Sequence, residues 1–386
     1  MASIGINIGG DVFLGRRVEP IAIESPESLI DKKILELFTN SDFNILNLES
    51  PLTTAGSRDQ LTKTGPNLKA SPDTVPVLRL LNTNLVTLAN NHIYDYKETG
   101  LSDTLSICES NNIATVGAGS NLQKASEIFL KKIGETTLGI VNIAENEWCN
   151  ANENRGGANP LNVIHNIRSI QKAKEKADVV ILIIHGGHEY YYYPSPRMVE
   201  LYRFYAEQGA SIIVGHHSHC ISGNEVYKGV PIYYSLGNFL FDNTTNFDGW
   251  YEGILLNIQI DENKRLTCKV YPCKQDKYHP GISLLEGADR TKLENQIDDI
   301  NSVIADPQKL AQMFNLFVEN QKKNVLSIFS TSYFINYRYF RSAIRKAGLE
   351  PLFLRRSQLK SVLNYFRCEA HRDISIKTIL DYIEHK

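Results

Sequence analysis

Residues 212–220 read IIVGHHSHC, an apolar run that meets a glycine and then three histidines. Imidazole nitrogens bind Zn, Mn or Fe, and they exchange protons near neutral pH. In H-S-H the rings of His217 and His219 stand two positions apart, so an extended backbone places both on one side. A lone histidine is usually a satisfied core or surface side chain, and the chemistry therefore depends on what else ends the same way. Other apolar runs end in Asp11, in Asn47 and Glu49, in Asn90, Asn91 and His92, and in His185 and His188. Imidazole nitrogen with carboxylate and amide oxygen forms a set suited to Mn, Zn or Fe, with no thiolate required.

The elements that must position these groups are short apolar strands alternating with helical patterns. IGINI, FNILNLE, NLVTLANNH, NIATVGA, TLGIVNIA, DVVILIIHGGH and ASIIVGHH read as strands, with helices at about 28–39, 71–82, 96–111, 160–177 and 194–209. Apolar strands separated by helices predict an α/β sheet covered on both faces, with functional groups collecting beyond the carboxyl ends of the strands. After residue 224 the runs EVYKG, PIYYSLGNFLF, YEGILLNIQI and RLTCKVYPC follow at short turns and predict an antiparallel portion. From about residue 290 helical periodicity takes over, with Pro307 suited to a first helical turn. A large domain over 1–285 and a helical module over 286–386 follow from this change of pattern.

At 386 residues the chain exceeds the usual reach of one hydrophobic core. Its 41 basic and 43 acidic residues give a net charge of -2, which argues against a nucleic-acid binder. Residues 321–367 are different, carrying ten Lys or Arg against the single acid Glu350. Those charges either solvate helix faces or approach a polyanion or an anionic bilayer, where each is worth about 1 kcal/mol. The six cysteines form no C-x-x-C pair, so reduced thiols are expected. The start lacks a cationic region followed by a long apolar one, and no run is long enough for a membrane span, so a cytoplasmic protein is expected. The glycines lack nucleotide-loop spacing, and G-x-S-x-G is absent.

In order along the chain, GDVFLGR, NLESPL, LANNHIYDY, HGGHEY, GHHSH and SLGNFLFD resemble the blocks of the bacterial CapA family of capsule or poly-γ-glutamate synthesis proteins, within the calcineurin-like metallophosphoesterase superfamily. The resemblance covers about residues 4–260 and does not reach the basic module. It implies a four-layer α/β/β/α metallophosphatase-like sandwich with one or two divalent metals at the strand ends. It makes Asp11, Glu49, Asn91, His185, His217 and His219 the metal ligands, with Phe13 standing where the wider superfamily has a ligand histidine. His92 becomes the general acid or a donor to developing charge. Asp95 either orients His92 or caps the next helix, and Glu189 is either a partner to the site or a substrate-facing base. The tyrosines at 190–193 either wall a substrate or pack on their own protein, and Asn238 either lines the crevice or makes a turn. The implied activity is metal-dependent hydrolysis of a phosphoester or an anionic polymer. The alternative is a non-catalytic metal- or polymer-binding subunit docked, through the basic helices, to a membrane-bound synthase.

Overall fold

The computed structural model describes residues 3–329, 343, 346–347 and 356–384. Its first strands are β1 (Ile4–Phe13), β2 (Phe43–Leu48), β3 (Leu85–Thr87), β4 (Ala114–Val116), β5 (Ala118–Gly119), β6 (Phe129–Ile133), β7 (Thr136–Ala144) and β8 (Gly157–Ala158). Then come β9 (Val179–His185), β10 (Ile212–His216), β11 (Asn224–Tyr227), β12 (Val230–Tyr233), β13 (Asn238–Phe241), β14 (Glu252–Ile260), β15 (Leu266–Gln275) and β16 (Ile282–Leu284). One sheet has the order β16-β15-β14-β1-β2-β3-β4, with β13 also pairing β1; a second runs β11-β12-β10-β9-β7-β6, and β5 pairs β8 in a small two-stranded sheet.

Period-two burial on both faces of each sheet makes four layers. Ile6, Ile8, Ile45 and Leu85 of the first sheet meet Ile140, Ile181, Ile183 and Val214 of the second in a core between the sheets. The alternate positions Leu182 and Ile184 face outward onto Ile170, Met198 and Tyr202 of covering helices. On the far side, Leu46, Leu48 and Val86 lie under Ile34, Phe38, Leu78 and Leu101. Each such side chain contributes roughly 1.5–3 kcal/mol on burial. Local signals place the helices: Asp31 accepts from Lys33 N at 3.0 Å and starts Lys32–Thr39, which buries Ile34 and Phe38 four residues apart. Ser195 and Pro196 start Pro196–Glu207 in the same way, burying Met198, Tyr202 and Tyr205.

The predicted antiparallel portion is present as β14, β15 and β16, but PIYYSLGNFLF does not form one strand. It divides into β12, parallel to β10, and β13, parallel to β1 in the other sheet. Gly237, with φ +71°, lies in the crossover, and its carbonyl accepts from Asp11 N at 3.1 Å. A Cβ on Gly10 would stand 2.1 Å from that carbonyl, which explains a glycine directly before Asp11.

The C-terminal helices pack onto the sandwich. Gly287–Ile304 buries Leu293 and Ile297 at the core between the sheets and Ile300 and Ile304 on the outer face of the second sheet. Phe314, Val318 and Val325 of Pro307–Phe329 meet Tyr191 and Ile374. Of the ten basic residues singled out above, Arg338, Arg341, Arg345 and Arg355 lie outside the described residues, as does Glu350. Among the described residues, no helix is long and apolar enough to cross a membrane.

Candidate metal centre

Five strand ends converge. β1 carries Asp11 two residues before its end, where its register shifts against β2 and β13, and β2 leads directly into Glu49. β3 stops at Thr87, so Asn91 and His92 sit on the loop beyond it, while β9 and β10 pair His185 with His216 at their last positions. Asp11, Glu49, Asn91, His185, His217 and His219 are all buried and come together at this edge. His185 Nε2 lies 3.1 Å from Asn91 Oδ1, 3.1 Å from His217 Nδ1 and 3.4 Å from Glu49 Oε1. Ligand atoms placed tetrahedrally or octahedrally at about 2.1 Å from one cation stand about 3.0–3.4 Å apart, so this quartet has the spacing of a cation site.

A second trio joins Asp11, Glu49 and His219, and the two groups that could hold a cation share Glu49. His219 Nε2 is 3.9 Å from Glu49 Oε1, and its Nδ1 is 3.8 Å from Asp11 Oδ2 and 2.9 Å from Asn238 Oδ1. With Nδ1 on Asn238, Nε2 is the nitrogen left to face the cluster. Asn238 thus lines the site, and Trp250 packs on the His219 ring at 4.3 Å.

The charge balance points the same way. Neither oxygen of Glu49 accepts a hydrogen bond, and neither nitrogen of His216 makes one. Burial, then Asp11, Glu189 and Glu147, push the Glu49 carboxyl well above its ordinary range. Burial also pushes Asp11 up, but His216, whose Nδ1 is 3.2 Å from Asp11 Oδ1, together with His185 and His219, holds it well below. Burial, followed by His217, drives His185 well below the usual imidazole value. A fully buried carboxylate without a donor is costly unless a cation satisfies it. The residues present therefore fit one or two divalent ions.

The histidine pair arrives by a different route from the extended one expected. β10 ends at His216, and both His217 (φ +94°) and His219 (φ +55°) adopt left-handed backbone. Such strain in non-glycine residues persists only where the surroundings fix it. Here His217 N donates to Asp11 Oδ2 at 3.1 Å, and the two rings lie 6.2 Å apart.

His92 stands beside the cluster with Nδ1 2.6 Å from Asp95 Oδ2. Asp95 caps no helix, since Lys97–Ser110 starts without a side-chain cap; it orients His92, accepts from Leu68 N at 2.6 Å and pairs with Lys63 Nζ. Burial, then Lys63, lowers the His92 pKa against the pull of Asp95, leaving the ring neutral with Nδ1–H on Asp95 and Nε2 bare. Glu189 opens into the adjoining cavity of about 420 Å³. The surrounding protein pushes its carboxyl up, but His217, His219 and His92 outweigh this and hold it below the ordinary value. His188 points away, its Nε2 3.0 Å from Ala370 O. The tyrosines pack on their own protein: Tyr191 stacks on Phe317 at 4.2 Å and Tyr190 on Trp250 at 5.7 Å.

Asn47, Lys63 and Glu147 join the site without having been singled out for it. Asn47 Nδ2 donates to Asp11 Oδ1 at 2.7 Å and lies 3.2 Å from His185 Nδ1, and its position at a strand end was the available signal. Glu147, 3.8 Å from His217 Nε2, follows β7, a strand ending at the same edge. Lys63 lies on a long loop where no periodicity marks it.

The sequence pattern of the family described as bacterial capsule synthesis protein PGA_cap matches residues 5–243. The PGA biosynthesis protein CapA of Bacillus subtilis is 35% identical over 245 residues, 62% of this chain and 63% of that protein. The capsule biosynthesis protein CapA of Bacillus anthracis is 32% identical over 274 residues, 68% and 65% of the two chains. A probable polyglutamine synthesis accessory protein of Mycobacterium tuberculosis is 28% identical over 229 residues, 56% and 58%. The matches span less than two thirds of the length of these relatives. With the match extending over most of the sandwich, the chain belongs to the bacterial capsule synthesis protein family that includes CapA.

Proposed function

We propose that the chain is a metal-dependent hydrolase acting on a phosphoester or an anionic polymer in capsule or poly-γ-glutamate metabolism. The observation that carries this reading is the convergence of Glu49, whose oxygens accept nothing, with Asn91, His185 and His217 beside an imidazole–carboxylate pair. Divalent cations at such a site supply Lewis acidity and a nucleophilic water at neutral pH. Asp11, Glu49, Asn91, His185, His217 and His219 would hold them, while Asn47 and Asn238 fix ring orientation. Neutral His92 takes one proton of the consumed water on Nε2 and passes it to the leaving oxygen or nitrogen. Asp95 stabilises the imidazolium formed between those steps. Protein loaded with Mn or Zn should turn over phosphoesters or γ-glutamyl polymers, and His92→Asn should lower that turnover steeply. Bound metal without turnover of any such substrate would overturn the hydrolase.

One observation favours a second reading, in which the metal site only binds polymer within a membrane-bound synthesis complex. Phe13 stands where the superfamily resemblance implies a ligand histidine, and its ring packs with Phe241 at 5.1 Å in an apolar cluster. Stoichiometric metal without turnover, with co-purification of a membrane synthase, is the outcome this reading expects. In either reading we place the protein in the cytoplasm, peripheral to the membrane, and treat 1–285 as the site-bearing domain with 286–386 as its helical module.

A further inference from the structure

The cavity in front of the cluster draws its walls from two parts of the chain. Asn91, His92, Glu147, Glu189 and His217 form one side, and Phe317, Tyr365, His371 and Ile374 form the other. The second set lies wholly outside the residues that match the family. Polar contacts hold it in place: Arg197 bridges Glu145 at 2.6 Å and Asp373 at 2.7 Å, and Asn146 N donates to Glu369 Oε2 at 2.8 Å.

His371 is the one titratable side chain that the Glu369–Glu384 helix adds to this wall. Asn364 Nδ2 lies 3.1 Å from its Nδ1, and an amide NH₂ only donates, so Nδ1 accepts and the neutral ring carries its proton on Nε2. Tyr365 stacks on the ring at 4.8 Å. With Nδ1 engaged and one face covered, the Nε2–H edge is what remains for the cavity. Glu189, close enough to favour a positive charge on His371, has no hydrogen-bond or ion-pair partner among the described residues.

We propose that His371, positioned by Asn364 and Tyr365, is a substrate-contacting specificity residue. Its Nε2–H donates to a carbonyl oxygen beside the reacting bond, while Glu189 accepts from an N–H, a pairing that one amide unit satisfies. A phosphoryl group at that place offers only acceptors and meets the Glu189 charge. The inference rests on the hydrolytic reading of the cavity and deepens it: the C-terminal helices select what is bound.

Calorimetry on the full chain loaded with Mn tests this, using a γ-linked glutamyl tripeptide and orthophosphate as probes. His371→Ala should weaken the tripeptide about tenfold, the loss of one hydrogen bond, and leave phosphate affinity unchanged. His371→Gln, which keeps a side-chain donor, should restore most of the loss, and Asn364→Ala should weaken the tripeptide alone. Should His371→Ala unfold, the other two variants carry the comparison. Unchanged tripeptide affinity, or equal weakening of phosphate, overturns the assignment. Loaded wild type that binds phosphate but no tripeptide also overturns it while leaving the hydrolytic reading intact. Wild type that takes up neither metal nor phosphate defeats both.

Discussion

His92 Nδ1 and Asp95 Oδ2 stand 2.6 Å apart, inside the protein and at the rim of the candidate cation site. Lys63 completes the arrangement, 3.1 Å from the same ring nitrogen and paired with the other Asp95 oxygen. Burial and then Lys63 lower the His92 pKa, and against burial His92 and then Lys63 hold the Asp95 carboxyl below its ordinary range, which leaves Nε2 free to exchange a proton. His92→Asn should lower turnover by about 10²–10⁴, and Asp95→Asn by about 10–100-fold. Metal content measured on the same samples should stay at the wild-type value in His92→Asn.

Arg197 is a clasp between the strand-end loops and the C-terminal helix. Its replacement by Met leaves Glu145 buried without its cation, a loss of about 3–5 kcal/mol for a broken buried pair. Urea unfolding should show this loss, and hydrogen exchange should rise over Glu369–Glu384. Unchanged exchange there would mean that the helix docks by apolar contacts alone.

His188 makes the stability of the protein sensitive to acid. Burial, then Arg197 and His371, lower its pKa to about 3 against the opposing pull of Glu145 and the Ala370 carbonyl. Tyr191, Phe314 and Phe317 complete its surroundings. The folded value lies below the unfolded one, so below the ordinary imidazole pKa the unfolded chain binds a proton that the folded chain refuses. Stability from this group is complete above about pH 6.5 and falls toward pH 3, by at most about 1.4 kcal/mol per pH unit. Unfolding free energies of wild type and His188→Gln, compared at pH 7.5 and 5, should converge in acid.

Gly10→Ala tests how tightly the crossover before β13 holds the first ligand. The new methyl meets Gly237 O and must push β13 from β1, at a cost of roughly 1–3 kcal/mol. Since β13 carries Asn238, the partner of His219, metal affinity should fall along with the melting temperature.

The layers were legible because strands such as VVILIIH are apolar at both parities, a pattern that only a sheet covered on both faces explains. The residues that meet at the candidate site were legible because each lies at or soon after the end of such a strand. The backbone that presents them was not: the spacing of H-S-H suggested an extended strand, whereas contacts from Asp11, some 200 positions earlier, fix a left-handed turn. Lys63 and Glu147 look like ordinary loop charges until the fold brings them to His92 and His217. His371 was hidden for the same reason, since nothing local to the Glu369–Glu384 helix records that it faces residues from three distant loops.

We expect Glu49 to be shared between two cation positions. Crystals grown with Mn, with anomalous difference maps, test it most directly. Density is expected within bonding distance of Glu49, with Asn91, His185 and His217 around one position and Asp11 and His219 around the other, and that density should be lost in Glu49→Gln. Ordered Mn elsewhere, or an Mn-saturated site in which Glu49 binds nothing, would contradict it.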